Sequence, residues 1–84
     1  MGTVKWDELK NEWLKVNRGV GFEELILSRY LKTRNSKKQG QQIMLFEYKD
    51  YVWAVPCLIR EHETILKTLY PSRKYDKLYR KGLL

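Results

Sequence analysis

The stretch from Tyr51 to Ile59, which reads Tyr-Val-Trp-Ala-Val-Pro-Cys-Leu-Ile, most constrains the fold of this 84-residue chain. Its apolar residues do not alternate with polar ones, which is typical of a strand that is buried on both faces. We therefore expect this stretch to lie at the centre of a sheet. Pro56 lacks the amide hydrogen that a strand ladder needs, so the sequence also predicts a bulge or an unpaired edge there.

Two further strand patterns adjoin the central one. Residues 42–48 precede it across a turn at residues 49–50, and residues 64–70 follow it across a turn at residues 60–63. Turns this short join antiparallel neighbours, so the three patterns predict a small antiparallel sheet. The polar and basic segment 33–40 comes before them, and its Asn, Ser and Gly residues favour a loop.

The beginning of the chain has helical spacing. Asp7 is a suitable N-cap, and Leu9, Trp13 and Val16 recur at the spacing of a helix face that packs on a core. Gly19 is expected to end this helix in a left-handed conformation.

A second helix is predicted over residues 22–31, and the short gap between the two helices predicts a helical hairpin. Its apolar side would consist of Phe22, Leu25, Ile26 and Tyr30. Ser72 is a suitable N-cap for a last helix, and residues 1–6 leave room for one short edge strand. The order (β)ααβββα over residues 1–84 predicts a single α+β domain, with the helical hairpin packed on one face of the sheet.

Charge is unevenly distributed along the chain, whose net charge is +7. Residues 1–32 hold six Lys and Arg against five Asp and Glu, whereas residues 33–84 hold eleven against five. The second part therefore carries the positive field, which attracts RNA, DNA, anionic lipid or an acidic protein partner.

The sequence predicts a cytoplasmic protein with no membrane partner. No apolar run approaches the roughly 20 residues of a membrane span, and the first residues contain no apolar signal-peptide core. The single cysteine, Cys57, has no internal disulfide partner, and we expect it to be a small buried hydrophobic residue.

Segment 67–81 carries the clearest functional signal, because six basic residues and three tyrosines stand there against one acid, Asp76. Positive charge interleaved with aromatic rings suits a polyanion that also has stackable bases, so we expect RNA. The alternative is a solvated terminal helix whose tyrosines pack on the core. The candidate site residues of this segment are Lys67, Tyr70, Arg73, Lys74, Lys77, Tyr79, Arg80 and Lys81.

These residue types could cleave RNA with no metal and no cofactor. One His and one Cys do not make a zinc site, but RNA supplies its own nucleophile, the 2′-hydroxyl group. Arg73 and Lys67 are expected to hold the scissile phosphate and stabilise its developing charge. Tyr70 or Tyr79 would stack on a base or transfer a proton. The residues expected to contact RNA elsewhere are Lys74, Lys77, Arg80 and Lys81.

The opening of the chain also carries a family resemblance. Its short motifs are Trp6-Asp7 leading into Lys10-Asn11, then Asn17-Arg18-Gly19-Val20 and Phe22-Glu23-Glu24. Together with the strand–turn–strand region 42–70 and the Ser-Arg segment that ends at Lys74, they resemble the BrnT-like toxins of bacterial toxin–antitoxin pairs. The chain departs from that pattern in its stunted first strand and in the long basic loop 33–40.

The resemblance implies a RelE-like fold and a ribonuclease activity that arrests translation by acting on RNA, including ribosome-associated messenger RNA. It also implies that a cognate antitoxin protein neutralises the activity. Two other functions stay open, namely a non-catalytic RNA- or DNA-binding module and a protein-interaction domain that uses the same basic face. Growth arrest on expression separates the toxin from both.

Overall fold

A mixed β-sheet with helices on both faces forms the fold. The computed structural model describes residues 2–84, so the first residue of the predicted edge strand, Met1, lies outside the described part. The elements in chain order are β1 (Thr3–Lys5), α1 (Glu8–Arg18), α2 (Phe22–Ile26), β2 (Arg29–Asn35), β3 (Gln42–Tyr48), β4 (Tyr51–Ile59), β5 (Glu63–Leu66), β6 (Tyr70–Pro71) and α3 (Arg73–Arg80). The strand order is β1-β5-β4-β3-β2, and β6 also pairs with β4. The predicted α+β class is confirmed.

The predicted central strand, β4, does lie at the centre of the sheet, with β3 on one side and β5 and β6 on the other. Cys57 is opposite Leu66 and Ala54 is opposite Tyr70, so residues 55–56 face three residues of the partner strand. This mismatch is the bulge that the sequence predicted at Pro56, where the missing amide hydrogen interrupts the ladder. The interruption divides the predicted strand 64–70 into β5 and β6.

One edge of the sheet is parallel, so the predicted all-antiparallel sheet is wrong there. β1 runs parallel to β5, with Thr3 opposite Glu63. Short turns impose antiparallel pairing only on consecutive strands. The chain instead leaves β1 through α1 and α2 and enters the opposite edge of the sheet as β2, so no hairpin sets the direction of β1.

The second helix is shorter than predicted, and most of the predicted loop is strand. α2 ends at Ile26, and β2 pairs with β3 from Arg29 opposite Glu47 to Asn35 opposite Gln42. Tyr30 was predicted to be helical from its spacing but belongs to a strand. The ladder of backbone hydrogen bonds with β3 outweighs this weak local preference for helix. Only residues 36–41 remain as the connection between β2 and β3.

The predicted core face of α1 points away from the core. Leu9 and Val16 are each 83% exposed and Trp13 is 48% exposed, whereas Asn11 and Leu14 are completely buried. Asn11 tolerates burial because its side chain is hydrogen-bonded to α2. Its Oδ1 accepts from the backbone amide of residue 22 at 2.8 Å, and its Nδ2 donates to a Glu23 oxygen at 2.9 Å. The cap predictions for this helix are confirmed at Asp7 and Gly19.

Apolar side chains cover both faces of the sheet, so the predicted packing of helices on one face is incomplete. The larger core lies under α1 and α2 and includes Leu14, Val20, Phe22, Leu25, Phe46, Val55, Cys57, Leu66 and Leu69. The smaller core lies under α3 and is centred on Leu45, Val52 and Ala54. A central strand that is apolar on both faces needs cover on both, and α3 supplies the second layer. No helix among residues 2–84 is long and apolar enough to cross a membrane.

Candidate nucleic-acid interface

The beginning of α3 is fixed to the central strand by two hydrogen bonds, and a third caps the helix. Ser72 donates its amide to the Val52 carbonyl oxygen at 2.9 Å, and Asp76 Oδ1 accepts from the Val52 amide at 3.1 Å. The Ser72 hydroxyl oxygen also accepts from the Tyr75 amide at 3.1 Å, which confirms Ser72 as the N-cap. The first turn of α3 therefore has a defined position on the sheet, and so do the side chains that it carries.

Arg73 and Lys74 are the first two residues of α3, and both are exposed. Their amides precede the first intrahelical hydrogen bond, so they point toward an anion-binding end of the helix. Cations at this end oppose the helix dipole and do not stabilise the helix. Their charges therefore do not contribute to the stability of this end of α3.

A basic cleft, here called the α3 cleft, lies between the end of β2 and the start of α3 and has a volume of about 570 Å³. Its charged and aromatic lining residues are Arg34, Lys37, Tyr70, Arg73, Lys74 and Tyr75. The Tyr75 ring has Lys74 Nζ at 5.3 Å and the Arg34 guanidinium at 5.9 Å from its centre. No acidic residue of the described chain lines this cleft, so its field is positive throughout.

A second cleft, here called the β4 cleft, has a volume of about 510 Å³ and lies beside the β3–β4 hairpin. Its charged and aromatic lining residues are Arg18, Tyr48, Lys49, Tyr51, Trp53 and Arg73. Pro71 and Arg73 line both clefts, so the two adjoin at the start of α3. Acidic side chains of residues 2–84 are absent from this lining too.

Three of the predicted site residues come together in the α3 cleft, namely Tyr70, Arg73 and Lys74. Lys67 does not join them. It is exposed in the interruption between β5 and β6, where its amide donates to the Pro56 carbonyl oxygen at 2.9 Å, and it lines neither cleft. The predicted strand position of Lys67 is wrong because the bulge at Pro56 ends β5 one residue earlier.

Two other predicted residues, Tyr79 and Arg80, contact carboxylates at the far end of α3. The Tyr79 hydroxyl donates to Glu47 Oε1 at 3.1 Å. The Arg80 guanidinium lies 3.3 Å from Glu47 Oε2 and 3.3 Å from Asp76 Oδ1, and it also donates to the Asp50 carbonyl oxygen. These contacts close the carboxyl-terminal end of α3 onto the β3–β4 hairpin. The remaining two candidates, Lys77 and Lys81, are exposed and line neither cleft.

Sequence reasoning missed the basic residues that other elements bring to the clefts. Arg34 was assigned to a loop but belongs to β2, and Lys37 follows it in the connection to β3. Arg18 ends α1 and Lys49 occupies the β3–β4 turn with a left-handed φ of 50°. A usable signal was present in the sequence for Lys49, because its turn lies between the aromatic strand ends Tyr48 and Tyr51.

Metal-ligand groupings do not occur in the described part of the chain, where no three His, Cys, Asp or Glu side chains are placed to hold one ion. Cys57 is buried in the larger core, as predicted, and burial raises the pKa of its thiol. No protein-family model and no curated protein sequence matches this chain. The function is therefore inferred from the two clefts.

Proposed function

We propose that the protein binds RNA at the α3 cleft, with Arg73 as the principal phosphate contact. One observation carries this proposal: Arg73 lies where two adjoining clefts meet, and no acidic side chain among residues 2–84 lines either of them. A guanidinium can hold two phosphate oxygens at once, and the nearby helix amides favour the same charge. Lys74 is the second phosphate contact, and Tyr70 and Tyr75 offer rings to the bases.

We further propose that the bound RNA is cleaved without a metal. The 2′-oxygen attacks the adjacent phosphorus, the bond from phosphorus to the 5′-oxygen breaks, and the products carry a 2′,3′-cyclic phosphate and a 5′-hydroxyl. A base must take the proton from the 2′-hydroxyl, and an acid must give one to the leaving oxygen. Arg73 stabilises the negative charge that develops on the non-bridging phosphate oxygens. Tyr70 is the better proton carrier of the two predicted tyrosines, since the Tyr79 hydroxyl already donates to Glu47.

A chain that cleaves RNA in this way would act as a translation-inhibiting toxin in the cytoplasm. Its resemblance to BrnT-like toxins implies this role and a RelE-like fold. Such a toxin needs an antitoxin, and the acid-free clefts suit a partner with acidic side chains. Inducing the chain alone, and then together with its genomic neighbour, tests this directly. Growth arrest and loss of messenger RNA that the neighbour relieves would support the proposal. A chain that leaves growth unchanged is not a toxin.

The purified protein provides the biochemical test. We expect it to cleave RNA in the presence of a chelator, to leave 2′,3′-cyclic phosphate ends, and to spare RNA whose 2′-hydroxyl groups are methylated. Arg73→Ala should abolish the activity. Arg60→Ala is the matched control, because Arg60 is exposed and lines neither cleft. Cleavage that continues on methylated RNA would rule out the 2′-hydroxyl mechanism.

A second candidate function is a non-catalytic RNA-binding module. The observation in its favour is that no histidine or carboxylate of the described residues lines either cleft, which leaves tyrosine and lysine side chains of the described lining to transfer protons. This function also predicts salt-dependent RNA binding that Arg73→Ala weakens, but it predicts that the RNA stays intact after prolonged incubation. The products of the chelator experiment therefore separate the two functions.

A further inference from the structure

We infer that the β4 cleft is a binding site for one unpaired nucleobase, next to the phosphate held at Arg73. The inference rests on the proposed function and names its substrate class, which is single-stranded RNA. The sequence did not predict this site, because its rings come from β3 and β4 and its cations come from the end of α1, the β3–β4 turn and α3.

Aromatic rings with fixed positions form the inner wall of the β4 cleft. Tyr48 is directly opposite Tyr51 across the hairpin, and the rings of Tyr48 and Trp53 are 6.3 Å apart at 80°. The Tyr48 hydroxyl donates to a Glu24 oxygen at 3.1 Å, and Trp53 packs against the larger core. Rings held in this way can stack on a base with little further loss of side-chain entropy.

Three cations lie around these rings. The Tyr48 hydroxyl contacts Glu24, but no carboxylate of the described residues lines the cleft itself. Lys49 Nζ lies 5.4 Å from the centre of the Tyr48 ring, and Arg18 and Arg73 line the same cleft. None of these three cations takes part in an ion pair among residues 2–84. Other basic residues, such as Lys15 and Arg80, are paired with carboxylates. The free cations can therefore neutralise the phosphates on either side of a stacked base.

The arrangement of the two clefts determines which part of the ligand lies in each of them. Tyr48 and Trp53 of the β4 cleft pack on the sheet face under α1 and α2, and Tyr51 shares that face as the partner of Tyr48. Tyr70 and Tyr75 pack on the face under α3. The clefts meet only at Pro71 and Arg73. A strand that passes Arg73 can therefore place one base in each cleft, with the connecting phosphate at the guanidinium.

An unpaired base is required because a base inside a duplex is stacked and hydrogen-bonded on its own edges and cannot enter a cleft. The volume of about 510 Å³ lies within the range of small-ligand sites. The recognised chemistry is therefore a planar base attached to a ribose and flanked by phosphates. A polyphosphate without bases shares the charge but has nothing to place against the rings.

Two oligomers of equal length test the subsite, one single-stranded RNA with bases and one abasic ribose-phosphate chain. Tyr51→Val removes the ring and keeps a residue that favours strands, and Tyr51→Phe keeps the ring as the matched control. We expect Tyr51→Val to weaken binding of the RNA by about 5- to 150-fold, the range for losing one stacked base, and to leave abasic binding unchanged. Tyr51→Phe should lose much less RNA affinity than Tyr51→Val, and Arg60→Ala, outside both clefts, should bind both oligomers as the unaltered protein does.

Arg73→Ala separates the subsite from the function on which it rests, because it should weaken binding of both oligomers. If Arg73→Ala weakens both and Tyr51→Val weakens neither, the base subsite is wrong and the RNA function survives. If Arg73→Ala changes neither, the RNA function fails and the subsite fails with it. Equal losses for both oligomers in Tyr51→Val would also overturn the subsite, because a stacking ring has no partner in the abasic chain.

The unaltered protein offers a check that does not depend on the folding of a variant. A nucleoside monophosphate and ribose 5-phosphate carry the same phosphate and differ by the base. We expect the nucleotide to displace bound RNA at a concentration at least about five times lower than that of ribose 5-phosphate. This factor corresponds to the smallest contribution of a stacked base to the binding free energy. Displacement at equal concentrations would overturn the inference.

Discussion

The two ends of α3 carry similar side chains and have different surroundings. At the carboxyl-terminal end, the Arg80 guanidinium lies 3.3 Å from both Glu47 and Asp76. At the amino-terminal end, Arg73 lines two clefts that no acidic residue of the described chain lines. The comparison teaches that the positions of the carboxylates, and not the positions of the cations, divide this basic helix into a structural end and a binding end.

Burial of the carboxylates explains the division. The Glu47 and Asp76 side chains are only 17% and 16% exposed, so each needs charged or hydrogen-bonding partners to offset lost hydration. Arg80 and Tyr79 supply those partners. No carboxylate in the described part of the chain is paired with Arg73, whose charge opposes the helix dipole.

Removing the charge at the binding end should have the largest effect. Arg73→Ala is expected to lower the cleavage rate by about 100- to 1,000-fold, the usual loss when one donor to a developing charge is removed. Its melting temperature should stay close to that of the unaltered protein, because the side chain is exposed. Rate and melting temperature should be measured for Arg73→Ala beside Arg60→Ala. A loss of activity that only follows unfolding would mean that both ends of α3 are structural.

The opposite pattern is expected at the structural end. Arg80→Ala removes the ionic partner of two partly buried carboxylates and should lower the free energy of unfolding by about 1.5–3 kcal/mol. RNA affinity of the folded protein should change little, since Arg80 lines neither cleft. Urea unfolding gives the first quantity, and binding at low temperature gives the second. Normal stability with lost RNA binding would contradict the assignment of this end.

The two tyrosines extend the same comparison with a smaller change. Tyr79→Phe removes the hydroxyl that donates to Glu47 and should cost about 1 kcal/mol of stability, without an effect on cleavage of bound RNA. Tyr70→Phe keeps a ring that lines the α3 cleft and should slow cleavage if the hydroxyl transfers a proton. The pair should be compared by single-turnover cleavage and by thermal unfolding. Slower cleavage in Tyr79→Phe alone would exchange the two roles.

The smallest effect is expected at the rim of the α3 cleft. Lys37→Ala should weaken RNA binding only mildly, because Lys37 is exposed in the connection between β2 and β3 and would make a generic phosphate contact. The plot of log affinity against log salt should become shallower by about 0.7, which is the share of one phosphate contact on a single strand. Lys77→Ala and Lys81→Ala, outside both clefts, should leave that slope nearly unchanged. A larger change in slope for these two variants than for Lys37→Ala would mean that RNA binds along the exposed side of α3.

Local chemistry made part of this fold predictable. The apolar run of β4, the bulge at Pro56 and the caps at Asp7, Gly19 and Ser72 each depend on residues that are close in sequence. The turns around β4 likewise gave the order of the neighbouring strands. These features could be predicted because one residue type or one short pattern determines each of them.

Long-range contacts decided the features that were missed. β2 exists because β3 pairs with it. The apolar residues of α1 face outward because the side chain of Asn11 occupies the buried side and is hydrogen-bonded to residues of α2. The site follows the same rule. Arg73 and Lys74 were predicted together because they are adjacent in sequence. The contact of Arg80 with Glu47, 33 residues away, and the approach of Arg18 to the β4 hairpin depend on the whole fold.

The most direct test is an NMR titration of the ¹⁵N-labelled protein with a short single-stranded RNA that carries uncleavable 2′-O-methyl groups. The account predicts that the largest shifts occur at the amides of Arg73 and Lys74 and spread to the rims of both clefts. The amides of Tyr79 and Arg80 should shift little, because carboxylates already occupy that end of α3. Shifts concentrated at Tyr79 and Arg80, or confined to the exposed face of α1, would contradict the division of α3 into a binding end and a structural end.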